Sequence, residues 1–104
     1  MPHQLTAVYN TPADPEAFDR HYDEVHAPLA RKFPGLRSFS LHHPSPGPDG
    51  SPPAFHLVAV LTFDSAEALD AALSGPEGQA AVADLDNFAQ AGVTILTGPV
   101  DVLL

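Results

Sequence analysis

The chain has 104 residues, the length of one ordinary domain, and we expect residues 1–104 to form a single domain. Acidic residues outnumber Lys and Arg by 13 to 4, which gives a formal net charge of −9. Such a surface repels phosphate groups, so we expect neither nucleic acid nor an anionic membrane as a partner. The sequence has no cysteine, which excludes disulfides, cysteine zinc sites and thiol nucleophiles. Without a basic N-terminal region or an apolar segment of membrane-spanning length, we expect a cytoplasmic protein.

The first predicted elements are a short strand and a longer helix. Leu5–Tyr9 is rich in residues that favour strands. Asp14 followed by Pro15 predicts a helix start, because aspartate is a good N-cap and proline fits the first helical position. Pro28 interrupts the helical pattern and predicts a kink or break near Ala27. The apolar residues that recur on one face of this helix are Phe18, Tyr22, Val25, Leu29 and Phe33.

Two strand segments follow, separated by a loop. Leu36–His43 alternates polar and apolar residues, as a half-buried strand does. Phe55–Phe63 is apolar on both faces and is therefore expected to be covered on both. The segment between them, Pro44–Pro53, is rich in proline, glycine and serine and predicts an exposed loop.

Two helical segments and a last strand complete the chain. Asp64–Glu67 has the pattern of a capping box, or an aspartate variant of it, and opens a helix that Gly75 and Pro76 end. Glu77–Phe88 predicts further helix, and Val93–Leu96 predicts a strand. The apolar positions of the last helix are Val82, Leu85 and Phe88.

This element order, βαββαβ, predicts an α+β protein of the ferredoxin-like type, with a four-stranded antiparallel sheet and helices on one face. The other face of the sheet carries apolar residues on the third and fourth strands. A second copy of the chain is the usual cover for such a face, so we expect a homodimer that pairs through the sheet.

A family resemblance becomes visible in the first helix, in the segment TPADPEAFDRHYDEVHAPLARKFPGLRSF. It resembles the EthD family of the dimeric α/β-barrel superfamily, in which a helix with a tyrosine and a histidine precedes Pro-Leu and then Pro-Gly-Leu. The resemblance continues through HLVAVLTFDSAEALDAAL and SGPEGQAAVADLDNFA. It implies a ferredoxin-like subunit that pairs through its sheet into a barrel. The family takes its name from a protein associated with ethyl tert-butyl ether degradation, and its relatives include cofactor-independent lactone isomerases, polyketide-modifying enzymes and quinone-forming monooxygenases.

His26 and Tyr22 are the candidate catalytic residues. They lie four residues apart, so they share a helix face and can touch. An imidazole titrates near neutral pH and a neighbouring phenol can hydrogen-bond to it, so together they can move a proton to or from an enolisable carbon or a phenolic oxygen. The resemblance implies that this histidine faces a cavity between helix and sheet. The ordinary structural alternative is that His26 braces the chain beside Pro28.

The predicted substrate-binding residues are His56, Asp84, Phe88, Phe33 and Leu29. His56 lies in a strand among valines, where it can line the cavity or the dimer interface; a hydrogen-bonded sheet histidine is the ordinary alternative. Asp84 and Phe88 are four residues apart on one helix face, so the ring can cover a pocket while the carboxylate orients a histidine. The ordinary alternative here is a solvated acid next to a core aromatic.

The other histidines give no site. His21 lies five residues before His26, which puts it on a different face of an α-helix, and we expect it on the solvated side. His42 and His43 are adjacent in a strand and point to opposite faces, so we expect no metal site. Since no nucleotide-binding or nucleophile-elbow motif occurs, we expect no cofactor.

Three hypotheses for function remain. The first is a cofactor-independent enzyme that acts on a small hydrophobic or aromatic compound, with His26 as general acid and base. The second is a binding or accessory protein that holds such a compound, and the third is a structural dimer without a ligand. A cavity beside a histidine with a perturbed pKa favours the first, and a histidine bonded to backbone in a cavity favours the second.

Overall fold

The computed structural model describes all 104 residues. The strands are β1 (His3–Asn10), β2 (Ser38–His42), β3 (Phe55–Phe63) and β4 (Val93–Pro99). The helices are α1 (Pro15–His21), a π-helical turn (Tyr22–His26), α2 (Ala27–Arg31), α3 (Ala66–Ser74) and α4 (Pro76–Phe88). None of the helices combines the length and apolar character needed to cross a lipid bilayer.

The sheet has four antiparallel strands in the order β2-β3-β1-β4. Leu5 of β1 is opposite Leu61 of β3 and Thr97 of β4, so every second residue of β1 and β3 faces the helices. The core side chains on this face are Leu5, Ala7, Tyr9, Leu57, Ala59, Leu61 and Phe63. The predicted α+β fold with ferredoxin-like topology is therefore confirmed.

The first helix continues through Pro28, and a widened turn stands where a kink or break was expected near Ala27. A proline inside an α-helix lacks its own N–H and clashes with the carbonyl four residues earlier. Here the helix widens before the proline, and the backbone N–H of Ala27 donates to the carbonyl of Tyr22, five residues back. The widened turn changes which residues face inward: Val25, which the sequence pattern placed on the apolar face of the helix, is 40% exposed, while His26 and Ala27 are buried.

The caps explain where α1 and α3 begin. Asp14 accepts a hydrogen bond from the backbone N–H of Ala17, as predicted. Helix α3 is capped by Ser65, which accepts from the backbone N–H of Ala68. The predicted capping box is therefore wrong in detail, because Asp64 pairs with Arg37 across 2.7 Å instead of capping the helix.

Helix α4 packs tightly on α3. A Cβ atom added at Gly78 would lie 2.4 Å from the carbonyl oxygens of Ala72 and Leu73 in α3, so only glycine permits this approach. The approach fixes which face of α4 is buried. Val82, one of the apolar positions of this helix, is 53% exposed, whereas Asp84 is buried.

The second face of the sheet is not covered by any helix. Val8, Val58 and Val60 are half-buried on this outer face, and Leu96 of β4 is 57% exposed.

Candidate functional site

The centre of the candidate site is the carboxylate of Asp84, which lies 5% exposed on the inner face of α4. It accepts hydrogen bonds from three side chains. His26 Nδ1 is 3.0 Å from Oδ2, His21 Nε2 is 2.9 Å from Oδ1 and 3.0 Å from Oδ2, and Asn87 Nδ2 is 3.0 Å from Oδ1. Because an ionised carboxylate only accepts hydrogen bonds, His26 carries its proton on Nδ1 and His21 carries one on Nε2.

The π-helical turn brings the two histidines together. Residues five apart lie on different faces of an α-helix, which is why the sequence placed His21 on the solvated side. In a turn closed by i→i+5 hydrogen bonds, residues that are five apart in the sequence lie on the same side of the helix. His21 and His26 consequently reach the same carboxylate, and the expectation of a solvated His21 is wrong.

Burial and hydrogen bonding set the charges of this cluster. Burial raises the pKa of Asp84, but the hydrogen bonds from Asn87, His21 and His26 outweigh it and hold that pKa below its ordinary value. Burial is the main reason that the pKa of His26 is lowered; Asp84 opposes this effect and the charge of His21 adds to it. The favoured state is thus an ionised Asp84 beside a neutral His26, and the alternative of a solvated Asp84 is wrong.

Aromatic rings enclose the histidines. The Phe88 ring lies against His21 and His26, with centroids 5.0 and 4.7 Å away. The Tyr22 ring lies 5.2 Å from the His26 ring, so the predicted contact is present, but no hydrogen bond joins these two side chains. Burial raises the pKa values of Tyr22 and Tyr9, whose hydroxyl groups interact with each other, so both phenols are neutral.

An apolar cavity of about 120 Å³ lies between the sheet and the helices. Thirteen of its fourteen lining residues are hydrophobic, and His26 is the exception. Tyr22 and Phe33 line it, and the half-exposed Val82 and Ile95 lie where it meets the surface. Since Nδ1 of His26 is bonded to Asp84, Nε2 is the ring nitrogen free to meet a molecule in the cavity.

A separate groove of about 560 Å³ lies on the other side of the cluster. His21 and Asn87 line this groove together with the edges of Phe18 and Phe88. Asp84 lies between the cavity and the groove. It is hydrogen-bonded to His26, which lines the cavity, and to His21, which lines the groove.

The remaining predicted residues lie at different distances from the cluster. Leu29 is half-buried and packs on the core without lining the cavity. His56 lines neither the cavity nor the groove. The pairing of β1 with β3 shifts at Tyr9 and Asn10, and the His56 ring reaches α1. There its Nε2 lies 2.7 Å from Asp19 Oδ1, and the ring contacts Phe18 edge-on.

The fold and this cluster define a small ferredoxin-like protein with an apolar cavity and a carboxylate-held histidine. Residues 10–92 match the EthD domain, and the chain belongs to the EthD family.

Known proteins resemble it at several levels. An uncharacterised 11.0 kDa protein from the thcB–thcC intergenic region of Rhodococcus erythropolis is 44% identical over 94 residues, which is 90% of each chain. The crystal structure of an ethyl tert-butyl ether d (EthD) family protein from Bacillus halodurans is 37% identical, has a TM-score of 0.90, and aligns over 97% of this chain and 100% of the other.

Two more distant structures share the fold alone. SnoaB from Streptomyces nogalater, described as a cofactor-independent oxygenase, is 16% identical with a TM-score of 0.71, over 98% and 96% of the two chains. A protein of unknown function from Thermobifida fusca, described as dimeric and ferredoxin-like, is 14% identical with a TM-score of 0.71, over 96% and 92%.

Proposed function

We propose that this protein is a homodimeric enzyme that uses His26 as a general base on a small hydrophobic or aromatic compound, without a cofactor. The observation that carries the proposal is that His26 lines an otherwise hydrophobic cavity, with Nδ1 bonded to Asp84 and Nε2 without a hydrogen-bond partner. A base in such a place is not solvated by water, and Asp84 holds its tautomer and orientation.

The size of the cavity supports a substrate with a single ring. Pockets for drug-sized ligands usually exceed about 300 Å³. An apolar cavity of about 150 Å³ is large enough to hold benzene, and the cavity here has about 120 Å³. A single-ring compound such as a phenol or an unsaturated lactone is therefore at the upper limit of what this cavity supports, and it offers an acidic O–H or C–H bond.

In the proposed reaction, Nε2 of His26 takes the proton and the electron pair of the broken bond stays on the substrate as a phenolate or enolate. The imidazolium is stabilised by the carboxylate of Asp84 through Nδ1–H. Return of the proton to another atom of the anion completes an isomerisation or a cyclisation. If dioxygen instead accepts electrons from the anion, one oxygen atom enters the product, and the other leaves as water with two substrate hydrogens.

A non-catalytic carrier is the second candidate, because the cavity lining is almost wholly hydrophobic and suits simple retention of an apolar compound. The bonding of His26 favours the enzyme. A histidine that merely braces the helix would bond to a backbone carbonyl, whereas His26 bonds to a buried carboxylate, the usual partner of a base.

The dimer is proposed to form through the outer face of the sheet. Val8, Val58, Val60 and Leu96 lie there without a covering helix. Apolar residues of this kind are normally covered, and a second copy covers them symmetrically. Light scattering on the purified protein tests this part: a dimer mass is expected, and a monomer contradicts it.

The experiment for the reaction uses phenol, hydroquinone and α-angelica lactone, followed by absorbance and dissolved oxygen. We expect turnover of at least one compound and a loss of about 10²-fold or more in His26→Gln. His43→Gln, at an exposed position of the same residue type, is the matched control and should leave the rate unchanged. Saturable binding without turnover supports the carrier, and equal rates in the two variants contradict a role for His26.

A further inference from the structure

We propose that His21 is a positioning residue of this site: it shares the Asp84 carboxylate with His26 and thereby keeps His26 in its neutral, proton-accepting form. The inference deepens the proposed function and rests on it for its catalytic meaning. The geometry itself is independent of turnover.

His21 and His26 share a single negative charge. Both oxygens of Asp84 are bonded, with His21 reaching Oδ1 and Oδ2 and His26 reaching Oδ2. One carboxylate balances one imidazolium. A second proton on the pair would add a positive charge to a cluster that is already neutral, so the charge of His21 bears on the ionisation of His26.

The two histidine rings differ in their exposure to solvent. The His21 side chain is 26% exposed and lies in the groove, whereas the His26 side chain is 8% exposed and lies on the apolar cavity. Protonating an imidazole costs more free energy where the ring is less exposed to water. Of the two rings, the imidazole of His26 is therefore the one that burial keeps neutral.

The surroundings of His26 contain no charged group that competes with Asp84 and His21. The side chains that face it are Asp84 and Phe88 from α4, Tyr22 from its own turn, Tyr9 from β1, and His21 beyond the carboxylate. Both tyrosines are neutral because burial raises their pKa values. Asp84 and His21 are thus the two groups that set the charge of His26, and they act in opposite directions.

His21 acts only through Asp84. It lines the groove and not the cavity, so it does not touch a molecule held beside His26. Its ring also stacks on Phe88 with an angle of 24° between the planes, which fixes the direction of Nε2 towards the carboxylate. A test must therefore follow the ionisation of His26 and not the rate alone.

The experiment is an NMR titration of His26 in the full-length protein, in wild type, His21→Gln and His43→Gln. Glutamine can still donate a hydrogen bond to Asp84 but carries no charge. We expect the titration midpoint of His26 to move to higher pH in His21→Gln and to stay in place in His43→Gln. Asp84→Asn removes the opposing charge, so it is expected to move the midpoint to lower pH.

The titration curves of the wild type provide a second measurement that needs no variant. If the two histidines share the carboxylate, the signals of His21 and His26 each show an inflection at the midpoint of the other. Independent single-step curves, or an unchanged His26 midpoint in a folded His21→Gln, overturn the proposal. Failure to find a substrate would affect the proposed function but would leave this coupling intact, so the two failures are distinguishable.

If a substrate is found, the pH–rate profile gives the catalytic readout. In His21→Gln the acid limb of kcat/KM should move to higher pH in step with the NMR midpoint, with little change in the rate on the alkaline side. A uniform loss at every pH would indicate a structural defect and overturn the positioning role.

Discussion

Two histidine–aspartate pairs on this fold share their chemistry and differ in their surroundings. His26 bonds to Asp84 at 3.0 Å and His56 bonds to Asp19 at 2.7 Å, and each ring contacts a phenylalanine. The side chains of the first pair are 8% and 6% exposed, and those of the second are 21% and 61% exposed. The shorter hydrogen bond therefore belongs to the more solvated pair.

The difference shows that a histidine–aspartate pair does not by itself form a functional site. A pair in water loses little when it breaks, and its charges are screened. A buried pair must satisfy all its donors within the protein, and the carboxylate then fixes the tautomer and ionisation of its histidine. Of the two histidines, His26 lines the apolar cavity and His56 does not, which makes His26 the candidate base.

Removing the carboxylates gives the largest expected contrast between the two pairs. Asp84→Ala leaves the buried donors of His26 and His21 without an acceptor, and we expect a loss of about 3–5 kcal/mol of unfolding free energy. Asp19→Ala breaks an exposed pair and should cost about 1 kcal/mol or less. Urea denaturation at pH 7 measures both values. Similar losses of unfolding free energy in the two variants would contradict the distinction between the buried and the exposed pair.

The next effect concerns the contact that buries Asp84. Gly78→Ala would force α4 away from the backbone of α3, and we expect a loss of about 1–3 kcal/mol, although alanine is the better helix former. Gly98→Ala is the control, because nothing lies within 4 Å of the added Cβ atom. Thermal unfolding of both variants checks this, and a more stable Gly78→Ala would contradict the close approach of the two helices.

Lowering the pH should reduce the stability of the folded protein in two stages, one for each member of the His26–Asp84 pair. The folded-state pKa of His26 lies below the ordinary value of 6.5, so the unfolded chain binds more protons there, and stability is lost as pH falls below 6.5. The folded-state pKa of Asp84 lies below the ordinary 3.8, so its contribution is present above 3.8 and is lost as pH falls through the folded value.

Unfolding free energies between pH 7 and 3 measure this profile. His26→Gln should flatten the first stage, and Asp19→Asn should retain both stages because its pair is solvated. A first stage that survives unchanged in His26→Gln would show that another group causes it.

The smallest effect is expected at Tyr22. Its hydroxyl interacts with Tyr9 and not with His26, so Tyr22→Phe should cost about 1 kcal/mol and leave the His26 titration nearly unmoved. Denaturation and NMR titration of this variant check the two parts. A large shift of the His26 titration midpoint would support the direct hydrogen bond between Tyr22 and His26 that the sequence predicted.

The sequence predicted the elements of the fold because their signals are local. Asp14 with Pro15 marks the start of α1, and the strand patterns give the order of the sheet. Pro28 signalled a disturbance of the helix, but its spacing does not distinguish a break from a widened turn. That distinction decides whether His21 and Val25 point into the protein or into water, and both positions were predicted wrongly.

The burial of Asp84 had no local signal. Its histidine partners lie 58 and 63 residues away in the chain, and the approach of α4 to α3 at Gly78 turns it inward. His26 could be predicted because a histidine beside a tyrosine on an apolar helix face is recognisable without its partners. The pairing of His56 with Asp19 depends on a shift in strand register that sequence periodicity does not contain.

The most direct test of the account is the ¹⁵N NMR spectrum of the His26 ring, recorded across pH with and without phenol. The account predicts an unprotonated Nε2 at pH 7, a protonated Nδ1, a midpoint below 6.5, and a change in the Nε2 signal when phenol is added. A proton on Nε2 at pH 7, together with no response to phenol, would contradict it and leave His26 as a structural residue of the fold.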